Sequence, residues 1–376
     1  MLFFETDKKN IKILSVSKSD KINSNCIAKL IVPVGSYNDG KLKGISHILE
    51  HILIVSLEQK YNISEFKVKG TTNLEYTEYQ ILCSQHNFKT GINLLIDLFN
   101  GTYLNFCDLE SVRNDVLKEY KIYYKKINGD VELVELLGAD TLSHLPIGTL
   151  ENIYKISKRE LFSFFEEHYK NNNAYIVAVG FNSNLFTKGT KCLTCIRDSI
   201  FKIEENCNAS EKIFFSNIND TYKYYFSLNT NERCLEELSF YIIETYVKKF
   251  INFECLVEGE VSIRIIQYDS KKRYFYINLA LNNSNKKEYF ENKFISDLFT
   301  YLFENFNFCE FEIIKYNYLK KISKLKISNY DMCQEICSNI LYGIPFFNKR
   351  KFLLEVKSIG FFEIKKFILN LINFDM

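Results

Sequence analysis

The chain has 376 residues, of which 47% are hydrophobic and 15% are aromatic, a composition that is typical of folded globular proteins and excludes a largely disordered chain. Its 48 basic and 46 acidic side chains nearly balance, at a formal net charge of +2. This balance does not favour nucleic acid as the main partner, and we expect none.

Apolar and β-branched runs predict an N-terminal α+β domain over residues 1–185. Turn residues at 35–40 predict a loop between its second strand and its first helix. In chain order, the predicted strands are 11–16, 26–34, 71–83 and 174–180, and the predicted helices are 44–59, 90–100, 109–126 and 161–169.

A stretch rich in Asn, Ser, Lys and Thr predicts a linker at 186–217, followed by a second domain over 218–376. The predicted strands of this domain are 222–228, 261–266 and 274–281, and its predicted helices are 235–250, 288–305 and 361–374. Strands and helices are mixed without strict alternation. This pattern predicts two α+β domains of similar size, each with a mostly antiparallel sheet packed with helices.

Three further features predict a reduced, non-membrane environment. No apolar run reaches the roughly 18 residues of a membrane-spanning helix, and the first residues lack the pattern of a signal peptide. The 11 cysteines are odd in number and scattered, which favours free thiols over a disulfide framework. Cys192 and Cys195 form an isolated C-x-x-C pair without a second pair at zinc-ribbon spacing. We expect a cytoplasmic protein.

One motif carries chemistry: His47-Ile48-Leu49-Glu50-His51 is an H-x-x-E-H array on the first predicted helix. Residues four apart share a helix face, so the two imidazoles can bind one Zn²⁺ at about 2.0–2.1 Å. Glu50 is the candidate general base for a water molecule that the metal activates. A catalytic zinc needs a third protein ligand, which the motif does not contain. Taken alone, the motif also allows a helix whose histidines only form surface hydrogen bonds.

The motif lies among segments with recognisable spacing. They are Val32–Ser36, Gly44, Thr72–Tyr79, Ser111–Glu119, Leu145–Ile153, Tyr169–Asn173 and Val177–Gly180. Together with H-x-x-E-H, the inverted zinc signature, these segments resemble the pitrilysin-like family of zinc peptidases (insulinase, mitochondrial processing peptidase). The resemblance is specific over about residues 25–180 and architectural beyond about residue 220.

The resemblance implies a zinc endopeptidase with His47, His51 and Glu119 as metal ligands and Glu50 as the catalytic base. It implies a fold that forms one half of a clamshell-type chamber, with a second pitrilysin-like subunit, in a hetero- or homodimer, as partner. The implied substrates are unfolded peptides or leader-bearing peptide precursors. The substrate-binding residues remain unknown, with Arg264 and Tyr268 as candidates by their region.

The sequence also departs from the family pattern. Val112 lies where the family often carries a carboxylate seven residues before the third ligand, so we expect zinc to be held less tightly. Lys69 or Gly70 lies where the family usually carries an Asn before the Thr-rich strand. The alternative function is a non-catalytic pitrilysin-like subunit that acts as a scaffold or peptide-binding partner. Retention of all four site residues argues against it, since a scaffold has no chemical need for them.

Overall fold

The chain forms two compact units, each assembled from separate parts of the sequence. The first comprises Met1–Lys126, Leu137–Lys202 and Ile327–Ile344, and the second comprises Ile127–Leu136, Ile203–Lys326 and Pro345–Met376. Within these units, the computed structural model describes residues 3–8, 10–17, 26–61, 64–104, 108–127, 144–181, 191–193, 199–201, 214–218, 221–228, 232–254, 259–267, 270, 273–281, 287–344 and 347–372.

The strands of the described chain form two sheets. They are β1 (Phe3–Lys8), β2 (Ile11–Ser17), β3 (Cys26–Val32), β4 (Phe66–Thr72), β5 (Thr77–Cys83), β6 (Ala174–Phe181), β7 (Lys191–Leu193), β8 (Phe214–Ile218), β9 (Thr221–Ser227), β10 (Gly259–Gln267) and β11 (Arg273–Leu281). The first unit holds a sheet in the order β4-β5-β3-β6-β2-β1-β7, and the second holds a sheet in the order β10-β11-β9-β8. All pairs are antiparallel except β2 with β6, which is parallel.

The helices are numbered in chain order. They are α1 (Ile45–Lys60), α2 (Phe88–Phe99), α3 (Leu109–Ile127), α4 (Leu150–Lys155), α5 (Lys158–Phe164), α6 (Arg233–Phe253), α7 (Lys287–Asn292), α8 (Phe294–Asn305), α9 (Phe308–Lys324), α10 (Asn329–Tyr342), α11 (Lys349–Ser358) and α12 (Phe361–Ile372). One turn of π-helix, Phe165–Tyr169, continues α5. In the described part of the chain, no helix is long and apolar enough to span a membrane.

The core of the first unit lies between the sheet and α1. Every residue of β3 is buried because this strand is central, paired with β5 on one side and with β6 on the other. Alternate β3 side chains such as Leu30 and Val32 pack in the same apolar cluster as Ile48, Leu49 and Ile52 of α1. This packing fixes one face of α1 against the sheet, so its orientation is set by burial of apolar surface.

Helix α10 packs against β3 and β6 on the other side of the sheet. Lys29 of β3 points to this side, and its Nζ donates to Glu78 Oε1 at 2.7 Å and to Gln334 Oε1 of α10 at 2.6 Å. The side chain of Lys29 is only 2% exposed, so both acceptors are needed to compensate for the buried charge.

The second unit packs its helices on the four-stranded sheet through aromatic side chains. Phe275 of β11 stacks on Phe226 of β9 at a ring-centroid distance of 4.5 Å and on Phe240 of α6 at 4.8 Å. The guanidinium of Arg273 donates to both oxygens of the buried Glu236 carboxylate, at 2.7 and 2.8 Å, which ties the sheet to α6.

The predicted α+β class with mostly antiparallel sheets is confirmed. The prediction of one strand over 71–83 was wrong, because Asn73 N donates to Tyr76 O at 2.8 Å and closes a hairpin between β4 and β5. The domain boundaries at 186–217 stay a prediction. The structure differs from them in that α10, assigned by sequence to the second domain, is part of the first unit.

Candidate metal centre

The first two turns of α1 bring two histidines together on one helix face. Gly44 precedes the helix in a left-handed conformation (φ +95°), and His47 and His51 follow one turn apart. Their Nε2 atoms are 3.2 Å from each other, and the rings meet edge to face with centroids 4.7 Å apart. The opposite face of α1 is fixed in the core, so both imidazoles point away from the sheet interior.

Helix α3 brings Glu119 to the same place. Its Oε2 lies 3.5 Å from His47 Nε2 and 3.5 Å from His51 Nε2, and its side chain is 53% exposed. Arg113, on the same helix, donates from Nε to Ile153 O at 2.9 Å and from an Nη to Ile156 O at 2.8 Å. These two charge-assisted hydrogen bonds link α3 to the segment around α4. They hold α3 in place six residues before Glu119.

Glu50 lies on the inner side of the histidine pair. Its carboxylate is buried, accepts a hydrogen bond from Thr72 Oγ1 at 3.3 Å and lies 4.0 Å from His47 Nε2. It also lies against the α-carbon of Gly70, where a β-carbon would collide with it. Burial raises the pKa of Glu50 to about 7, and this exceeds the lowering by His47 and by the Thr72 hydrogen bond. A carboxyl group with such a pKa is suited to accept and return a proton near neutral pH.

The spacing of the three predicted ligands fits one zinc ion. Ligand atoms arranged tetrahedrally at about 2.0–2.1 Å from zinc lie about 3.3–3.4 Å from each other. The separations of 3.2, 3.5 and 3.5 Å between the two histidine nitrogens and Glu119 are close to this value. His47, Glu50 and His51 also bring one possible ligand atom each within 4.8 Å of one another. That these residues bind zinc stays a prediction.

The local electrostatics favour the protonation states that a metal needs. Burial, assisted by the neighbouring His47, lowers the pKa of His51 and so favours its neutral form. The hydrogen bond from His47 lowers the pKa of Glu119, which keeps this carboxylate ionised. Neutral imidazole and ionised carboxylate are the forms that coordinate divalent ions.

Among the described residues, His47 has no outer partner of the kind that metal-binding histidines usually have. Its Nδ1 is buried without a hydrogen-bond partner among the residues described. A ligand histidine commonly donates from its second nitrogen to a carboxylate or carbonyl, and this bond orients the ring. At position 112, where the resembled family often carries a carboxylate, the structure has a buried valine side chain.

The remaining histidines and the substrate candidate Arg264 are also among the described residues. His86 is exposed after β5, His144 packs its ring on Tyr37 at 5.3 Å, and His168 packs on Phe164 at 4.4 Å. Arg264 is an exposed residue of β10 in the second unit. Tyr268 and Cys195 lie outside the described residues, so the C-x-x-C pair and the substrate role of Tyr268 stay untested.

Asp39 is a residue next to the site that sequence reasoning missed. It is buried, and its carboxylate accepts from Gly44 N at 2.6 Å and from Ser46 N at 3.2 Å, just before His47. The sequence does contain a signal: Gly44 has no side chain to accept from the first amides of α1, and Asp39, five residues earlier, is of a type that caps helices.

Comparison with known proteins places these observations among peptidases. Residues 14–149 match the model of the family described as insulinase (peptidase family M16). The chain is 23% identical over 179 residues to the human mitochondrial-processing peptidase subunit beta, covering 44% of this chain and 37% of that subunit. It is 23% identical over 185 residues to the probable zinc protease PqqL of Haemophilus influenzae, covering 44% of this chain and 20% of that protein. The matched region is thus well under half the length of these curated relatives.

Solved structures extend the similarity over nearly the whole chain. The first half of the periplasmic protease PqqL from Escherichia coli superposes with a TM-score of 0.71 at 14% identity, covering 98% of this chain and 89% of that one. A peptidase M16 inactive domain from Pseudomonas fluorescens superposes with a TM-score of 0.70 at 16% identity, covering 98% and 95%. At these identities the likeness establishes the fold, which half of a protease and a domain described as inactive share.

Proposed function

The chain is a member of the insulinase family of peptidases (peptidase family M16), and we propose that it is a zinc-dependent endopeptidase acting on unfolded peptides or leader-bearing peptide precursors. The observation that carries the proposal is the convergence of four side chains from two helices. His47, His51 and Glu119 place their ligand atoms 3.2–3.5 Å apart, with the buried Glu50 beside them.

The residues of the chain have distinct roles in this proposal. His47, His51 and Glu119 would hold the zinc ion, which when bound supplies a Lewis acid that polarises the peptide carbonyl and acidifies a water molecule. Glu50 accepts the proton of the attacking water and passes it to the leaving amine. Thr72 donates to the Glu50 carboxylate and orients it while it is ionised. Gly70 leaves the space that the carboxylate occupies.

The substrate surface in this proposal is the edge strand β4. This strand is the terminal strand of the seven-stranded sheet as described, paired on one side with β5. An unfolded peptide can add to such an edge through main-chain hydrogen bonds. Because Thr72 of β4 contacts Glu50, a peptide paired with β4 would pass directly beside the catalytic base. An unfolded peptide can adopt the extended backbone that this pairing needs without first unfolding, so this mode favours unfolded substrates.

Metal dependence tests the proposed activity. We expect the purified chain to cleave a quenched fluorescent library of unstructured peptides, to lose this activity with a zinc chelator and to regain it when one equivalent of zinc is restored. The measurement is the initial rate of fluorescence increase before chelation, after chelation and after zinc is restored. Cleavage that is unchanged after complete removal of metal would contradict zinc chemistry.

A non-catalytic subunit is the second candidate function, because an M16 inactive domain shares this fold at a TM-score of 0.70. The same assay separates the two functions. A chain that contains zinc and binds the peptide library, yet cleaves nothing alone or with a partner subunit, would be a peptide-binding scaffold.

We also propose that this chain works with a second pitrilysin-like subunit. In support, this chain covers 89% of the isolated first half of the E. coli protease PqqL in the structural superposition, but only 46% of the longer PqqL chain. A second half would enclose the peptide and hold it at β4, and misplacement of a substrate can lower a rate by orders of magnitude. The predicted cytoplasmic location stays a prediction.

The pairing predicts weak activity from a single chain. We expect the rate per chain to rise when a sister subunit is added or, for self-pairing, when the protein concentration exceeds the dimer dissociation constant. Cleavage rates are measured beside the mass in solution by light scattering. Full activity from a chain that is strictly monomeric at all concentrations would refute the pairing.

A further inference from the structure

The N-terminus of α1 is capped by a residue outside the helix. The N-cap residue, Gly44, has no side chain, and its left-handed conformation (φ +95°) turns the chain into the helix. The cap is supplied by Asp39, which lies five residues earlier in the turn Ser36–Asp39. Its Oδ2 accepts from Gly44 N at 2.6 Å and its Oδ1 accepts from Ser46 N at 3.2 Å.

The position of this cap matters because His47 lies in the first turn of α1. The first amide groups of a helix have no acceptor inside the helix, so the first turn frays most easily. Ser46, whose amide Asp39 binds, immediately precedes His47. His51 lies one turn farther in, where each amide has an acceptor four residues back. The cap therefore restrains His47 far more than His51.

A second contact braces the same segment. Gly148, with φ +69°, lies directly against the loop before α1: a β-carbon on Gly148 would come within 2.7 Å of Gly44 Cα and of Lys43 C. The loop 145–149 therefore packs on Gly44, one of the two residues whose amides Asp39 binds. The segment is held by a buried carboxylate, only 5% exposed, and by a close backbone contact.

We infer that Asp39 is a positioning residue of the metal centre, whose buried carboxylate fixes the first turn of α1 and thereby His47. This inference rests on the proposed zinc chemistry and adds a residue that determines how tightly the metal is held. The backbone position of His47 matters more here because the Nδ1 of its ring has no hydrogen-bond partner among the described residues. On its Nδ1 side the ring therefore has no described side chain to orient it, and the backbone that Asp39 restrains fixes where this side lies.

The test compares zinc binding by the full chain and by Asp39→Asn, using chelator competition to obtain the dissociation constant. The asparagine amide nitrogen cannot accept, so either Gly44 N or Ser46 N would face a donor. We expect the variant to bind zinc about tenfold more weakly, the lower range for residues that orient ligands. Substitution of the site with Co²⁺ gives a second readout, since its visible absorption reports coordination geometry, and we expect this spectrum to change.

Asp331→Asn is the matched control. Asp331 also caps a helix of the first unit, α10, by accepting from Ser328 N at 3.1 Å, but it is remote in sequence from the ligands and exposed. We expect Asp331→Asn to lower thermal stability and leave both the zinc dissociation constant and the Co²⁺ spectrum unchanged.

The outcomes separate this inference from the proposed function. Tight zinc binding by the wild type with an unchanged dissociation constant in Asp39→Asn overturns the positioning role alone. A wild type that binds no zinc overturns both. Should Asp39→Asn not fold, Asp39→Glu replaces it: the longer side chain keeps the charge but displaces the acceptor, so zinc binding should again weaken. An unchanged constant in Asp39→Glu would then refute the inference.

Discussion

Glu50→Gln should retain zinc and the fold while losing peptide hydrolysis, by roughly a thousandfold or more, since positioned acid–base groups contribute about 10²–10⁴ and this group acts in both proton transfers. The amide keeps the shape of the side chain and can still accept from Thr72 Oγ1. It cannot take the proton of the attacking water. The measurement is kcat/KM for peptide cleavage at equal zinc occupancy.

The stability of the metal-free variant shows whether lost activity reflects lost chemistry. Burial raises the pKa of Glu50 to about 7 in the folded chain, from an ordinary value of 4.5. Between these pH values the unfolded chain has released the proton while the folded chain retains it, so the free energy of unfolding falls as pH rises. Glutamine does not ionise, so the variant does not undergo this fall in the free energy of unfolding. Above pH 7, metal-free Glu50→Gln should therefore unfold at a temperature no lower than the wild type.

Glu58→Gln is the matched control for this variant. Glu58 lies two turns farther along α1 and is exposed, so its substitution should leave cleavage unchanged. Normal turnover by Glu50→Gln would remove Glu50 from the mechanism. Loss of turnover together with loss of zinc or of thermal stability would show that Glu50 supports the site structurally.

Glu119→Ala should lose most of its zinc. This residue supplies the one predicted ligand outside α1, and its Oε2 lies 3.5 Å from each histidine Nε2. Loss of a direct ligand should weaken binding by more than the tenfold to hundredfold that outer groups contribute. Because the side chain is 53% exposed, its removal leaves no buried cavity, and the fold should persist. The measurements are metal content after dialysis and the zinc dissociation constant.

Asp115→Ala provides a sharp comparison. Asp115 lies one turn before Glu119 on the same helix with an equally exposed side chain, 53%, and pairs with Lys118 at 2.8 Å. We expect it to keep full zinc occupancy. If Asp115→Ala loses the metal and Glu119→Ala retains it, the third ligand is Asp115. Full occupancy in both variants would place the third ligand elsewhere.

The sequence by itself determined the features that depend on local geometry. The spacing of His47 and His51 follows from the period of an α-helix, so their approach could be predicted without the fold. The helix over 44–59 was likewise predicted from the recurrence of its apolar residues. The α+β class followed from the mixture of strand-like and helix-like runs. Glu119 was assigned only through the resemblance to a family, because nothing local in α3 marks it among its charged neighbours.

Only the tertiary structure decided the features that join distant segments. The approach of Glu119 to the histidines depends on the packing of α3, and the buried Lys29 depends on Gln334, 305 residues away in the chain. The link from Asp39 to α1 depends on how the turn Ser36–Asp39 folds back. Hydrophobic burial is non-directional, so an apolar pattern states that a segment packs but not against which partner. The site was therefore predicted as a set of residues, and only the fold specified what surrounds and restrains them.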